Sequence, residues 1–214
     1  KFEKKIIYVI LDKFPKKLNA WQRQDYQRDF LINGLNKADS NDIILFSDVD
    51  EIPNLEINID KIIKNLDKIG IFNQKVFYFK LNLRVMDYTT WEGTRILLKK
   101  NLQSFSWLRS NVKLKNLKYN FWRIDKFKKI YEINDGGWHF SFLGSPETIS
   151  SKIKSYTHSE YDTDEFTDLT KINDRINNLQ DPYDRNKKLQ KLEIDNTFPK
   201  YIQNNQEKLK DLIL

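Results

Sequence analysis

The chain contains no cysteine, so it can hold neither a disulfide nor a thiolate-bound metal, and its redox compartment is left open. Glycine and proline are scarce, 6 and 5 of 214 residues, which excludes collagen-like, flexible-linker and Pro-rich architectures; no internal repeat is visible either. No apolar run approaches the roughly 18 to 20 residues that span a bilayer, and the first residues lack a signal-peptide pattern. The sequence is therefore expected to be soluble, with no transmembrane segment. Arginine is also sparse, 8 residues against 29 lysines.

What remains is the composition of a folded domain with a basic excess, 37 Lys and Arg against 30 Asp and Glu for a net +7. Such an excess favours anionic ligands, nucleotide phosphates or nucleic acid, although interspersed acids also fit an ordinary solvated surface. The length suits a single domain. Residues 1–145 are expected to form an α/β core with a metal site, and residues 146–214 a mostly helical part.

The most informative stretch is Ile43-Ile44-Leu45-Phe46-Ser47-Asp48-Val49-Asp50-Glu51-Ile52-Pro53, where an apolar run ends in three acids within four positions. The run reads as a central β-strand. If the strand continued, Asp48 and Asp50 would share a face and Val49 would turn into the core. Two carboxylates at the carboxyl end of a strand can hold a divalent cation against phosphates. Acids that merely cap a helix or solvate a turn are the competing structural explanation.

Around it, Lys4 to Leu11 reads as a strand and Trp21 to Lys37 as an amphipathic helix with Trp21, Phe30, Leu31 and Leu35 for the core. Ile57 to Ile69 reads as a helix closed by Gly70. Lys75 to Arg84 alternates as a strand, Trp91 to Arg95 as a loop, and Ile96 to Leu98 as a short strand. Leu102 to Phe127 mixes aromatics with Lys and Arg without clear periodicity, which fits base stacking, sugar stacking or core packing. Glu165 to Leu179, Asp184 to Leu192 and Tyr201 to Leu212 read as helices.

A second informative stretch, Ile133 to Gly144, sets Asp135 before Gly136 and Gly137 and follows them with Trp138 and His139. Paired glycines let backbone approach a ligand closely, or simply make a hairpin turn. Ser145 and Pro146 then open a helix, with serine as cap and proline at the first position, and Lys152, Lys154 and His158 recur along it. A helix start with nearby lysines suits a diphosphate.

Four ordered blocks carry a resemblance across nearly the whole chain. They are Trp21-Gln-Arg-Gln with Gln27-Arg28, Asp42 to Pro53, Asp135-Gly-Gly-Trp-His-Phe-Ser141, and Lys154-Ser-Tyr-Thr-His-Ser-Glu-Tyr-Asp162; Phe198-Pro-Lys-Tyr-Ile202 follows the same pattern. In these the chain resembles glycosyltransferase family 17. The resemblance implies a GT-A-like nucleotide-diphospho-sugar transferase fold, a Rossmann-like mixed sheet flanked by helices with a helical C-terminal tail. The family pattern begins a strand and a helix before Lys1, so the first βα unit is expected to be absent. Where the family has Trp-Glu-Arg-Glu, this chain has Trp21-Gln22-Arg23-Gln24.

The resemblance further implies an inverting, metal-dependent transferase that uses Mn²⁺ or Mg²⁺ and moves a sugar, N-acetylglucosamine first, from a UDP-sugar donor to a glycan acceptor. That acceptor would be a polysaccharide, a lipid-linked glycan or a glycoprotein. Asp48, Asp50 and His139 are the expected metal ligands. Asp48, Arg95, Gly136, Gly137, Trp138, Lys152, Lys154 and His158 are expected toward the donor. Inversion needs a carboxylate base, for which Asp135 comes first and Glu147 and Glu160 next. Trp91, Trp107 or Trp138 is expected to stack on a sugar.

A Lys-rich, cysteine-free chain of this kind is expected in a microbial or viral cytoplasm, at a membrane face. Two other classes compete. Asp48-Val49-Asp50 after an apolar strand also resembles the nucleophile motif of haloacid dehalogenase-type phosphatases. The basic, aromatic composition would also suit a non-catalytic nucleic-acid-binding module, although no nucleic-acid partner is expected under the transferase reading.

Overall fold

The computed structural model describes residues 2–57, 59–86, 90–155 and 157–214. Among them the α-helices are α1 (Ala20–Phe30), α2 (Ile59–Ile63), α3 (Phe105–Ser110), α4 (Pro146–Ser155), α5 (Asp164–Thr167), α6 (Leu169–Asn177) and α7 (Lys200–Asn204). The strands are β1 (Ile43–Phe46), β2 (Glu51–Pro53), β3 (Ile69–Tyr78), β4 (Leu83–Val85), β5 (Thr90–Leu98), β6 (Ile130–Ile133), β7 (Gly137–Ser141) and β8 (Leu189–Lys191). Pairing follows the order β1-β5-β3-β4-β8, with β6 and β7 also on β3 and β2 on β7. Antiparallel ladders dominate, but β7 runs parallel to β3, matching Lys75 to Trp138 and Tyr78 to Ser141. The class is mixed α/β. None of the described helices is long and apolar enough to cross a membrane.

Residues group into two compact units. The first lies within residues 1–46, 58–71 and 95–133, and its core joins Ile44 and Phe46 of β1, Ile69 and Ile71 of β3, Leu97 of β5, and Phe105 and Leu108 of α3. Here α1 begins with a capping box in which the Asn19 side chain accepts from the Gln22 N–H and Gln22 reaches back. Asp29 near its end takes both the backbone N–H and the hydroxyl of Ser106, at 2.7 and 2.6 Å, pinning α1 to α3.

The second unit lies within residues 47–57, 72–94 and 134–214. Side chains alternate along its strands, so β3 and β7 feed two cores. Val76 and Tyr78 pack with Ile149 and Ile153 of α4 and Ile172 and Ile176 of α6. Phe77, Trp138 and Phe140 face the other way, onto Phe198 and Ile202.

Several sequence expectations need correction. Residues 6–11 form no regular element and join no strand ladder among the described residues, with Ile7, Tyr8 and Ile10 exposed; a β-prone run becomes a strand only where backbone partners exist. The run 43–46 is at the end of the strand order, and Ile43 and Leu45 are exposed. The central strand is β3, buried on both faces along almost its whole length. The helix expected over 57–69 is confined to α2, and Gly70 is inside β3. Trp21 and Leu31 are exposed, and the helix of 21–37 is α1 followed by a 3-10 turn. Lys75 to Arg84 is broken by a tight turn at Phe79, φ 66°. The 91–95 loop belongs to β5, and within 184–192 lies β8, which pairs with β4.

Candidate active site

β1 ends at Phe46, and Ser47 is held by a 2.6 Å hydrogen bond between its hydroxyl and that of Thr94. The chain then turns: the Glu51 N–H donates to the Asp48 carbonyl at 3.1 Å, and the Glu51 side chain accepts from the Asp48 N–H at 3.2 Å. The strand therefore does not continue, and Val49 at the turn tip is fully exposed rather than buried. Asp50 is locked from behind, since its carbonyl accepts from the Phe140 N–H at 2.8 Å. From there β2 pairs with β7, Glu51 opposite His139 and Pro53 opposite Gly137.

This pairing joins the two informative stretches. The His139 Nε2 lies 3.5 Å from one Asp50 oxygen, and the Lys152 Nζ 3.0 Å from the other. Lys152 arrives on α4, whose Ile149 and Ile153 are buried in the core, and its ammonium also sits 5.1 Å from the Phe142 ring centre. Burial alone would push the Asp50 pKa up. The His139 imidazole and the Lys152 ammonium outweigh it and hold the carboxyl well below the usual range. Asp50 is thus an anion gripped by two nitrogen groups.

Glu51 and Trp91 complete the cluster, and the sequence did not mark Glu51. It is only 5% exposed. While one of its oxygens holds the Asp48 N–H, the other accepts from the Trp91 indole at 2.6 Å. Trp91 in turn stacks on His139, with ring centres 4.7 Å apart and planes at 18°. The signal available was the third acid of the run, whose spacing differs from the Asp-x-Asp pair.

Other expected residues are elsewhere. Asp135 sits at φ 50°, with its carboxylate 3.8 Å from the Lys75 Nζ, at a cavity of about 530 Å³ lined also by Asn54, Trp138, Thr197 and Lys200. Neither Asp50 nor His139 lines that cavity. At Gly137, φ 124°, an added Cβ would meet the Ile52 carbonyl oxygen at 2.1 Å; backbone of β2, rather than a ligand, fills that space. The Gly136 N–H is given to the Asn73 carbonyl. Trp138 is core, its indole donating to Thr197.

Arg95 is fully buried in the first unit, donating to the Val112 carbonyl. His158 pairs with Glu160 at 2.7 Å. The pKa of Glu160 is drawn down by its own backbone N–H and then by His158, and that of Glu147 by the Ser145 hydroxyl. Glu147 and Lys154 line a separate cavity with Ser150 and Asp168. Trp107 packs in the first unit's core.

Among the described residues no three acids or histidines converge as a closed metal cage. Asp50 and His139 nevertheless offer an oxygen and a nitrogen donor close together, with the second ring nitrogen of His139 buried and without a hydrogen-bond partner. That set fits a cation taking few protein ligands and completing its shell with phosphate oxygens and water, as Mg²⁺ commonly does.

The sequence model described as Glycosyltransferase family 17 matches residues 1–188 of the 214. The chain belongs to glycosyltransferase family 17. No curated protein and no solved structure gives a match. Family membership makes the chain a glycosyltransferase and sets aside the phosphatase reading of Asp48 and Asp50. The cluster around Asp50 falls inside the matched span.

Proposed function

We propose that the protein is a metal-dependent inverting glycosyltransferase of GT-A-like fold that moves a sugar, N-acetylglucosamine first, from a UDP-linked donor to a glycan acceptor. The observation that carries this reading is the Asp50 carboxylate held between His139 and Lys152 in a family 17 chain. Asp50 and His139 would hold Mn²⁺ or Mg²⁺, with Asp48 at the same turn. When bound, the cation supplies Lewis-acid neutralisation of the departing nucleoside diphosphate.

The chain's own groups supply the rest. Lys152, released from Asp50, gives a point charge for a phosphate. Trp91, backed by His139 and tied by Glu51, offers its exposed part to a sugar face. Asp135 is the base in this reading, acting from the cavity it lines with Trp138 and Lys200; Asp135→Asn should keep donor binding and lose turnover. The acceptor in this reading is a surface polysaccharide or lipid-linked glycan.

A thermal-shift screen of UDP, GDP and CMP sugars with Mn²⁺ tests the assignment. A ligand at about 100 times its Kd adds roughly 2.7 kcal/mol, a rise in Tm of about 5 to 10 °C at this chain length. UDP sugars should shift the protein and GDP and CMP sugars should not. No shift with any nucleotide sugar would overturn the reading.

A further inference from the structure

The segment after α3 carries a surface that the Asp50 cluster does not use. Residues 113–129 hold seven Lys and Arg against the single acid Asp125, a net +6 of the chain's +7. Among them three large apolar side chains stand in solvent: Phe121 is 86% exposed, Trp122 62% and Ile124 94%. Large apolar groups exposed side by side mark a contact surface more often than isolated ones do.

The backbone that presents them is tightly hydrogen-bonded. The Arg123 N–H donates to the Asn120 carbonyl at 3.0 Å, the Ile124 N–H to Trp122 at 2.9 Å and the Lys126 N–H to Arg123 at 3.1 Å. Lys128 crosses the turn to the Asn120 carbonyl. Arg123 forks onto Asp125 with both contacts at 2.7 Å, and its guanidinium lies 5.2 Å from the Tyr119 ring centre. Phe121 and Trp122 meet edge to face at 5.0 Å. The result is a hydrogen-bonded turn with exposed apolar side chains, set in a Lys-rich stretch of the chain.

One aliphatic and two aromatic side chains exposed in a stretch with a net +6 match the headgroup boundary of an anionic bilayer. Tryptophan settles at that depth, apolar side chains enter it, and each nearby basic residue gains from anionic headgroups. Base stacking would call on the aromatics but would leave Ile124 without a purpose.

We propose that the turn around residues 120–126 docks this protein on an anionic lipid surface, with Phe121, Trp122 and Ile124 entering the interface. The lysines around them face the headgroups. This holds whether or not the Asp50 cluster transfers sugar, and its test reads no turnover.

The experiment is co-sedimentation of the full chain with vesicles of phosphatidylcholine alone or with about 30% phosphatidylglycerol. Binding should be at least about tenfold tighter on the anionic vesicles and should weaken steeply from about 0.1 to 1 M salt. The variant Phe121→Ser/Trp122→Ser/Ile124→Ser should lose at least about tenfold on anionic vesicles. Because these side chains are exposed, its melting temperature should stay that of the parent. Lys115→Gln/Lys118→Gln/Lys129→Gln should lose the preference for anionic over neutral vesicles.

Equal partitioning of parent and serine variant would overturn the proposal. So would failure to bind vesicles together with tight binding of a single-stranded oligonucleotide that the serine variant loses.

Discussion

Among the described residues the Asp50 carboxylate has both the His139 Nε2 and the Lys152 Nζ within 3.5 Å, which makes it the residue to test first. Asp50→Asn keeps the shape and removes that charge, leaving a lysine and a histidine turned toward a neutral amide. A loss of about 1 to 3 kcal/mol in urea unfolding is expected, as for a partly buried pair that loses one partner. The pH dependence has a definite sign. The folded pKa of Asp50 lies below its unfolded value, so the carboxylate stabilises the fold fully above about pH 4 and less as pH falls through the lowered folded value. The gap between parent and Asp50→Asn should narrow as pH falls below about 4. Glu51 offers a second test. Its two oxygens accept from the Asp48 N–H and the Trp91 indole, and Glu51→Gln turns one acceptor into a donor facing a donor. Unfolding should be easier by about 1 to 2 kcal/mol, while Asp67→Asn, in the turn between α2 and β3, should change little.

The ladder between β2 and β7 brings these side chains together, so its backbone limits what the site tolerates. Gly137→Ala forces a Cβ against the Ile52 carbonyl at a φ that L-residues avoid, and should cost about 2 to 4 kcal/mol, read from the urea midpoint. Asn19→Ala removes the capping box of α1 and should cost about 1 kcal/mol.

The same elements show what was legible beforehand. The acidic turn, the Ser145-Pro146 start of α4 and the β7 stretch stood out because their signals are local. The meeting of Glu51 with His139 joins positions far apart in the chain, and no local pattern specifies that register. Trp91 to Arg95 read as a loop because it is polar and contains glycine. It forms part of β5 because tertiary partners satisfy its polar groups, Thr94 being held by Ser47 and Gln74. β8 is only three residues long and owes its existence to β4.

Taken as a molecule, the chain has a core in each of its two units, and the whole Asp50 cluster belongs to the second. The family and the enzyme class were legible in the ordered blocks. Which carboxylates would meet was not, since Asp135 and Glu147 each line a cavity shared with residues distant in the chain. Most of the net charge is concentrated in residues 113–129 rather than around Asp50, so a bulk charge argument pointed to anions without locating them. In the proposed function Asp50 anchors a nucleotide-sugar donor through a divalent cation. Calorimetry of UDP binding to the parent and to Asp50→Asn, each with and without Mn²⁺, tests it most directly. UDP should bind the parent with Mn²⁺, and binding should weaken at least about tenfold when either the metal or the Asp50 charge is removed. Equal affinity for UDP in all four titrations would contradict it.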